Sequence, residues 1–200
     1  MIHVVNSEEA VRLLSEGHVV AVPTDTVYGL AASLEHPRAI ERLFEIKRRP
    51  LTLALPVIIE SFGSIEKLRV NWPEQAQRLS DAFWPGALTV VVAVPYELAD
   101  LVGSSHDTAG FRIPNDELLL DVARRVGPLA VSSANEHGDE PCHSAADVMT
   151  DFAQRDGIDG ILDGGVRSGE VSTVVEISGT TWRVLRSGAI KEDELARVLD

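Results

Sequence analysis

The sequence predicts an α/β fold, a mixed sheet with flanking helices, and three observations predict it. Short β-branched apolar runs alternate with segments of helical period along the chain. The most apolar windows are about 6 to 8 residues long, which is strand length. Two late runs, 174–177 and 182–185, have the separation of an antiparallel hairpin, so the sheet is mixed rather than all-parallel.

Taken in order, Asn6 and Glu9 have the spacing of a capping box, and Ala10, Val11 and Leu14 form an apolar stripe that stops at Gly17. That is a first short helix. Residues 19–22 are a compact apolar strand running into Pro23-Thr24-Asp25-Thr26, residue types that favour turns and caps and so leave polar side chains at a strand end. Pro37 suits a first helical position, and Ile40, Leu43 and Phe44 recur at helical spacing. The helix they make, 37–46, delivers Lys47-Arg48-Arg49-Pro50 at its end. Further strands are predicted at 54–59, 88–94, 109–113 and 129–132, besides the two of the hairpin. Helical patterns separate them at 73–82, at 116–126 with Leu119, Val122, Ala123 and Val126 on one face, at 145–152 behind Ser144 as N-cap, and at 192–199. The Gly-rich stretch 156–169 reads as loop. No repeat, low-complexity tract or linker divides the chain, so residues 1–200 are expected to form a single domain.

Composition narrows the function classes. Of 200 residues, 44% are apolar and 24% charged, enough for one sizeable core. Thirty-one acidic residues face 18 basic ones, a formal net charge of -13, which argues against a bulk electrostatic grip on nucleic acid or an anionic membrane. Any polyanion has to be met by a local cluster. The single Cys142 excludes an intramolecular disulfide and a cysteine-rich zinc site. The first ten residues carry acids where a signal peptide would carry bases, and no apolar run approaches the roughly 20 residues of a membrane span. A cytoplasmic protein without membrane contact is expected. The P-loop, the dinucleotide glycine pattern, H-E-x-x-H and G-x-S-x-G are all absent. His3, His18, His36, His106, His137 and His143 show no ligand spacing for a metal, and the last two, on either side of Cys142, read as exposed loop residues.

Several segments carry groups suited to anions. Residues 23–30, Pro-Thr-Asp-Thr-Val-Tyr-Gly-Leu, place two hydroxyls, a carboxylate and a phenol after a strand, with Gly29 permitting close backbone approach. They form either a binding edge or an ordinary capped turn with Tyr28 in the core. Lys47-Arg48-Arg49 forms either an oxyanion clamp or a solvated face that complements a helix C-terminus. By the period of two, Thr108, Gly110 and Arg112 share one side of a strand, where Arg112 needs a partner, a structural carboxylate or a ligand. Ser132-Ser133-Ala134-Asn135 offers hydroxyl, amide and backbone donors at another strand end, or a plain Ser/Asn turn. Ser172-Thr173 and Arg186 add a hydroxyl pair and a cation. Five strand ends bearing such groups favour one shared anionic-ligand pocket, because open α/β sheets gather functional groups there.

The same residues carry a family resemblance. The 23–30 segment, Lys47-x-Arg49-Pro50, Phe83-Trp84-Pro85-Gly86-Ala87-Leu88-Thr89, Gly110-Phe111-Arg112-Ile113-Pro114, Ser133-Ala134-Asn135, Ser172-Thr173-Val174-Val175 and Leu185-Arg186-Ser187-Gly188-Ala189-Ile190 occur in family order over nearly the whole chain. The sequence resembles the YrdC-like threonylcarbamoyl-AMP synthases. The resemblance implies a twisted mixed sheet with a cationic concave cavity. It also implies an enzyme joining L-threonine, bicarbonate and ATP into threonylcarbamoyl-adenylate and pyrophosphate, with Mg²⁺ accompanying ATP. Thr26, Arg112, Ser172 and the backbone near Val131 are implied as threonine contacts. Arg49, Thr108, Ser133, Asn135, Pro141 and Arg186 are implied on the nucleotide side, with Lys47 and Arg49 as the charge-neutralising catalytic pair. The implied partner is a downstream tRNA threonylcarbamoyltransferase complex, with any contact to tRNA itself weak or indirect. Against the family pattern, Leu53 replaces a usual Asn, Ile58 a frequent His and Ser187 a frequent Pro. The rival reading is a non-catalytic RNA-binding module in tRNA or ribosome maturation; the charge of -13 and the lack of an interleaved aromatic platform weigh against it.

Overall fold

The computed structural model describes residues 2–48, 54–135, 139–153 and 155–199, so Arg49, Leu53 and His137 lie outside the described residues. In chain order the elements are β1 (Val4–Val5), α1 (Ser7–Ser15), β2 (Val20–Val22), β3 (Gly29–Ser33), α2 (Pro37–Lys47), β4 (Val57–Ile58), α3 (Phe62–Lys67) and α4 (Glu74–Phe83). Then follow β5 (Leu88–Ala93), α5 (Tyr96–Leu101), β6 (Thr108–Arg112), α6 (Glu117–Val126), β7 (Leu129–Ser133), α7 (Ala145–Asp151), β8 (Gly160–Leu162), β9 (Thr173–Ser178), β10 (Thr181–Arg186) and α8 (Glu192–Leu199). The strands join in one mixed sheet in the order β1-β8-β2-β3-β7-β4-β6-β5-β9-β10.

Local chemistry sets the helix ends. Asn6 accepts the Glu9 N–H at 3.0 Å at the start of α1, Asp116 accepts that of Leu119 at 2.9 Å for α6, and Ser144 accepts that of Asp147 at 3.1 Å for α7. Each satisfies a backbone donor that would otherwise be orphaned. The hairpin forms as β9 and β10, antiparallel, with Gly179 at φ +60 in the connection.

Strand alternation divides the interior in two. Val20 and Val22, Ala31, Leu129 and Val131, and Ile58 face α1 and α6, packing on Leu13, Leu14, Leu119 and Val122. Their neighbours Val19, Ala21, Leu30, Ala130, Val57 and Phe111 point the other way, into the larger core with Ile40 and Leu43 of α2, Leu79 of α4 and Leu195 of α8. The smaller core contains no residue of β5, β6 or β9. Over those strands the α1–α6 layer stops, and the side chains opposite Phe111 and Val90 are Arg112, Thr108 and Thr89. An amphipathic element thus keeps a polar stripe on a face that no core fills.

Two expectations need correction, and one further strand forms without a sequence signal. The stretch 156–169 contains β8, which is buried between β1 and β2; Gly160 packs tightly there, since a Cβ would lie 3.0 Å from Leu13 and from Val5. Strand 54–59 shrinks to β4 because Pro56 has no N–H to give the ladder, although its carbonyl accepts the Val131 N–H at 2.9 Å. Residues 29–33, Gly-Leu-Ala-Ala-Ser, form a strand despite low β-propensity, because β2 and β7 pair with them on both sides. Helices α3 and α5, six residues each, are too short to show a period.

Phe111 is fully buried, its ring edge-on to Trp72 at 5.8 Å. Phe111→Ala should cost about 3–5 kcal/mol, read as a shift in urea midpoint at unchanged m value. Burial, and next the Asp151 carboxylate that accepts its S–H at 3.4 Å, pushes the Cys142 thiol from 9.0 up to about 12. Its folded value exceeds its unfolded one, so its contribution to stability is intact below 9.0 and lost as pH rises toward about 12. Native Cys142 should resist alkylation near pH 8 and react only on unfolding; full labelling of the native chain would contradict this.

Candidate active site at the strand ends

Thr24 builds the turn after β2. Its hydroxyl oxygen accepts the Thr26 and Val27 N–H groups at 3.0 and 3.1 Å, and its proton goes to the Val27 carbonyl at 2.7 Å. The turn is thereby fixed with Asp25 and Thr26 aimed at β6. Arg112, only 6% exposed, meets them there. Its Nη2 donates to Asp25 Oδ1 at 2.6 Å, its Nη1 to Thr26 Oγ1 at 3.3 Å and its Nε to the Gly86 carbonyl at 2.9 Å. Burial pulls the Arg112 pKa down while the Asp25 charge pulls it up. A guanidinium has five N–H groups, so two remain, one on each Nη.

The partner for Arg112 is thus a structural carboxylate, and a cavity of about 100 Å³ opens beside the same guanidinium. Thr26, Ile58, Thr89, Arg112, Val131, Ser132, Ser133, Ser172 and Arg186 are among its lining residues. Gly29 shapes its wall: a Cβ there would lie 2.6 Å from Val131 Cγ1, so a side chain would force β3 and β7 apart. Arg186 reaches the cavity through a β-bulge. Arg183 pairs with Glu176 and Arg186 with Val174, with an irregularity between Val184 and Arg186. Strict alternation would put 183 and 186 on opposite faces; the extra residue, Leu185, puts both on the face of Glu176 and Val174. The Arg186 Nη2 then donates to Ser172 Oγ at 2.8 Å and, with Nε, to the Ser172 carbonyl at 2.7 and 3.0 Å. Ser172 Oγ lies 3.1 Å from Thr89 Oγ1.

Lys47 is not on a solvated face, as one reading of its segment had it. It is 1% exposed, and its Nζ donates to the Ser133 carbonyl, to the Asn135 carbonyl at 2.8 Å and to Asn135 Oδ1 at 2.9 Å. Ser133 Oγ donates to the same Oδ1 at 2.6 Å, and Asn135 Nδ2 to the Asp139 carbonyl at 2.6 Å. Lys47 therefore holds the 133–135 turn from behind. Tyr28, the other ambiguous group, is fully buried; its main chain ties this turn to Cys142, with Tyr28 N–H to the Cys142 carbonyl at 2.9 Å and Ala134 N–H to the Tyr28 carbonyl at 2.8 Å.

The structure brings together Thr26, Arg112, Val131, Ser133, Ser172 and Arg186 around one cavity, with Lys47 and Asn135 behind its wall. Thr108 and Pro141 do not line it. Thr108 shares the open face but begins β6, about 13 Å along the strand from Arg112, with its hydroxyl 3.3 Å from that of Ser104. Sequence reasoning missed Thr89, Gly86 and the clamping role of Asp25. Period two from the buried Leu88 would have turned Thr89 outward, whereas nothing local reports that Asp25 and Gly86 meet on one guanidinium.

Comparison with known proteins bears on the fold and the family. The Sua5/YciO/YrdC family model, described as telomere recombination, matches residues 12–188. A Mycobacterium tuberculosis relative is 36% identical over 95% of this chain and 87% of its own length. The Bacillus subtilis threonylcarbamoyl-AMP synthase is 37% identical over 96% of this chain, which spans 56% of that protein. The crystal structure of Pyrococcus abyssi Sua5 complexed with L-threonine superposes with a TM-score of 0.90 at 34% identity, covering 99% of this chain and 60% of that one. With the family model matching residues 12–188 and the fold shared with Pyrococcus abyssi Sua5, the chain belongs to the Sua5/YciO/YrdC family.

Proposed function

We propose that this chain makes threonylcarbamoyl-AMP and pyrophosphate from L-threonine, bicarbonate and ATP. Relatives from Pyrococcus abyssi and Bacillus subtilis bear that activity in their names, and the Pyrococcus Sua5 structure holds L-threonine. The observation that carries the reading here is Arg112, held on three sides with two N–H groups to spare at a cavity of about 100 Å³. That volume is well below the roughly 300–1,000 Å³ of pockets for drug-sized ligands. It suits a small amino acid; the nucleotide would lie outward on the uncovered face of β5, β6 and β9.

In this reading the threonine carboxylate accepts from Arg112, oriented by Thr26 and by Ser172. Bicarbonate loses hydroxide to give CO₂, the amine nitrogen adds to its carbon, and the proton the nitrogen then gives up joins that hydroxide as water, leaving a carbamate. A carbamate oxygen then attacks the α-phosphorus of ATP, and the bond to the β-phosphate oxygen breaks to release pyrophosphate. No covalent bond to the protein is needed. Alignment and charge neutralisation are its work, with Arg186 and Arg49 on the phosphate side, Asn135 and Lys47 holding Ser133 in place, and Thr108 and Pro141 toward the nucleotide. Among the described residues no group of three or more His, Cys, Asp or Glu could hold a metal, and no carboxylate lines the cavity. Mg²⁺ would arrive on the triphosphate, and no step here runs through it. The adenylate would pass to a tRNA threonylcarbamoyltransferase complex, with tRNA contact weak or indirect. No helix among the described residues is long and apolar enough to cross a membrane, and a cytoplasmic setting fits that chemistry.

Pyrophosphate release from ATP should require both threonine and bicarbonate; release without either, or salt-sensitive RNA binding with no turnover, would defeat the proposal. A charge-assisted hydrogen bond is worth about 1.5–3 kcal/mol, so Arg112→Ala and Arg49→Ala should each lower turnover roughly ten- to hundred-fold. Near-normal turnover in either would remove that residue from the site.

A further inference from the structure

The segment joining β8 to β9, residues 163–172, crosses the sheet past six strands. This strap is not extended throughout, since Gly165 sits at φ +80 and donates its N–H to Asp163 Oδ1 at 2.8 Å, so its path depends on where it is pegged. At its start Tyr28 Oη accepts the Gly164 N–H at 2.9 Å and lies 3.0 Å from the Gly165 carbonyl. At its end Val171 and Ser172 line the cavity. Between these lies Arg167. Its main chain is gripped twice by His143, N–H to carbonyl at 2.7 Å and imidazole Nδ1 to the Arg167 carbonyl at 2.7 Å. Its Nη2 meets Asp116 Oδ2 at 2.7 Å, while the other Asp116 oxygen caps α6. Its Nε is buried without a partner. Beyond the peg, Gly169 passes so near the β2–β3 turn that a Cβ would lie 2.7 Å from the Asp25 carbonyl.

We propose that Arg167 is a positioning residue for the amino-acid site: pinned by Asp116 and His143, it sets the strap so that Val171 and Ser172 close the cavity wall. Arg167 itself does not line the cavity. Releasing the peg frees the strap over the strand ends, and the wall opposite Thr26 and Arg112 loses its register. The inference rests on the proposed reading that this cavity takes threonine.

The test uses the full chain with Arg167→Met, Asp116→Asn, which keeps a capping side chain on α6, and the double variant. Threonine KM and kcat are measured at saturating ATP, threonine binding by calorimetry, and amide exchange over residues 163–172. Arg167→Met and Asp116→Asn should each raise threonine KM and Kd about tenfold with kcat within about threefold, and should speed exchange in the strap. The double variant should be no weaker than Arg167→Met alone, because the two side chains act as one unit. Threonine KM and Kd within about twofold of wild type, or a fall in kcat with KM unchanged as unfolding of a fraction would give, overturns the proposal. Wild-type protein that binds no threonine overturns the functional reading and this inference with it, whereas normal wild-type binding with unaffected variants overturns this inference alone.

Discussion

A guanidinium buried in a strand is the constraint around which this site is built. Taking the Arg112 charge out of water costs on the order of several kcal/mol unless acceptors replace that water. Three do so, from different parts of the chain: Asp25 and Thr26 from the turn after β2, and the Gly86 carbonyl from the segment before β5. The Thr24 hydroxyl matters through this arrangement, since it fixes the turn that aims two of the three. The three acceptors leave the unused N–H groups of Arg112 in a set orientation. A flexible surface arginine would have to order itself on every binding event.

The remaining groups reach the cavity by devices that each change a default geometry. The bulge in β10 brings Arg186 onto the working face, and the absence of a side chain at Gly29 lets β3 and β7 close up beneath it. Lys47, reaching from the end of α2, spends its protons on the turn after β7. The cavity wall therefore consists of side chains held by other side chains, so substitutions behind the wall act on the ligand through geometry. The strap adds the same logic at longer range, because its peg at Arg167 lies only four residues before Val171 in the cavity wall.

Much of the fold was legible because it was local. Asn6, Asp116 and Ser144 announce helix starts by side-chain type, Pro37 fits a first turn, and the spacing of 174–177 and 182–185 foretells a hairpin. What escaped was non-local. Strands β3 and β8 are rich in Gly and Ala or only three residues long, and they exist because strands distant in sequence pair with them, β7 on one edge of β3 and β1 and β2 on the two edges of β8. The site divides in the same way. Thr26, Arg112, Ser172 and Arg186 stand at strand ends that could be read in order. The meeting of Asp25 with Arg112, the face taken by Arg186 after its bulge and the interior position of Lys47 depend on register and crossing, which no single segment encodes.

Charge balance decides what kind of recognition this arrangement can perform. The chain carries a net charge of -13, so at long range it repels a nucleotide or an RNA backbone; at physiological salt that field is screened beyond about 8 Å. Inside that radius Arg112 is already balanced by Asp25, and Arg186 is already bonded to Ser172. Net attraction at the cavity therefore rests chiefly on Arg186, whose hydrogen bonds to the uncharged Ser172 leave its charge in place. What these groups offer an incoming anion is direction: donors at fixed angles, beside hydroxyls that can accept as well as donate. A small carboxylate that matches those angles gains several charge-assisted hydrogen bonds at once. A phosphate backbone lying across the outside gains none of them and still meets the acidic surface, which is why the same residues favour a small-molecule active site over an RNA-binding module.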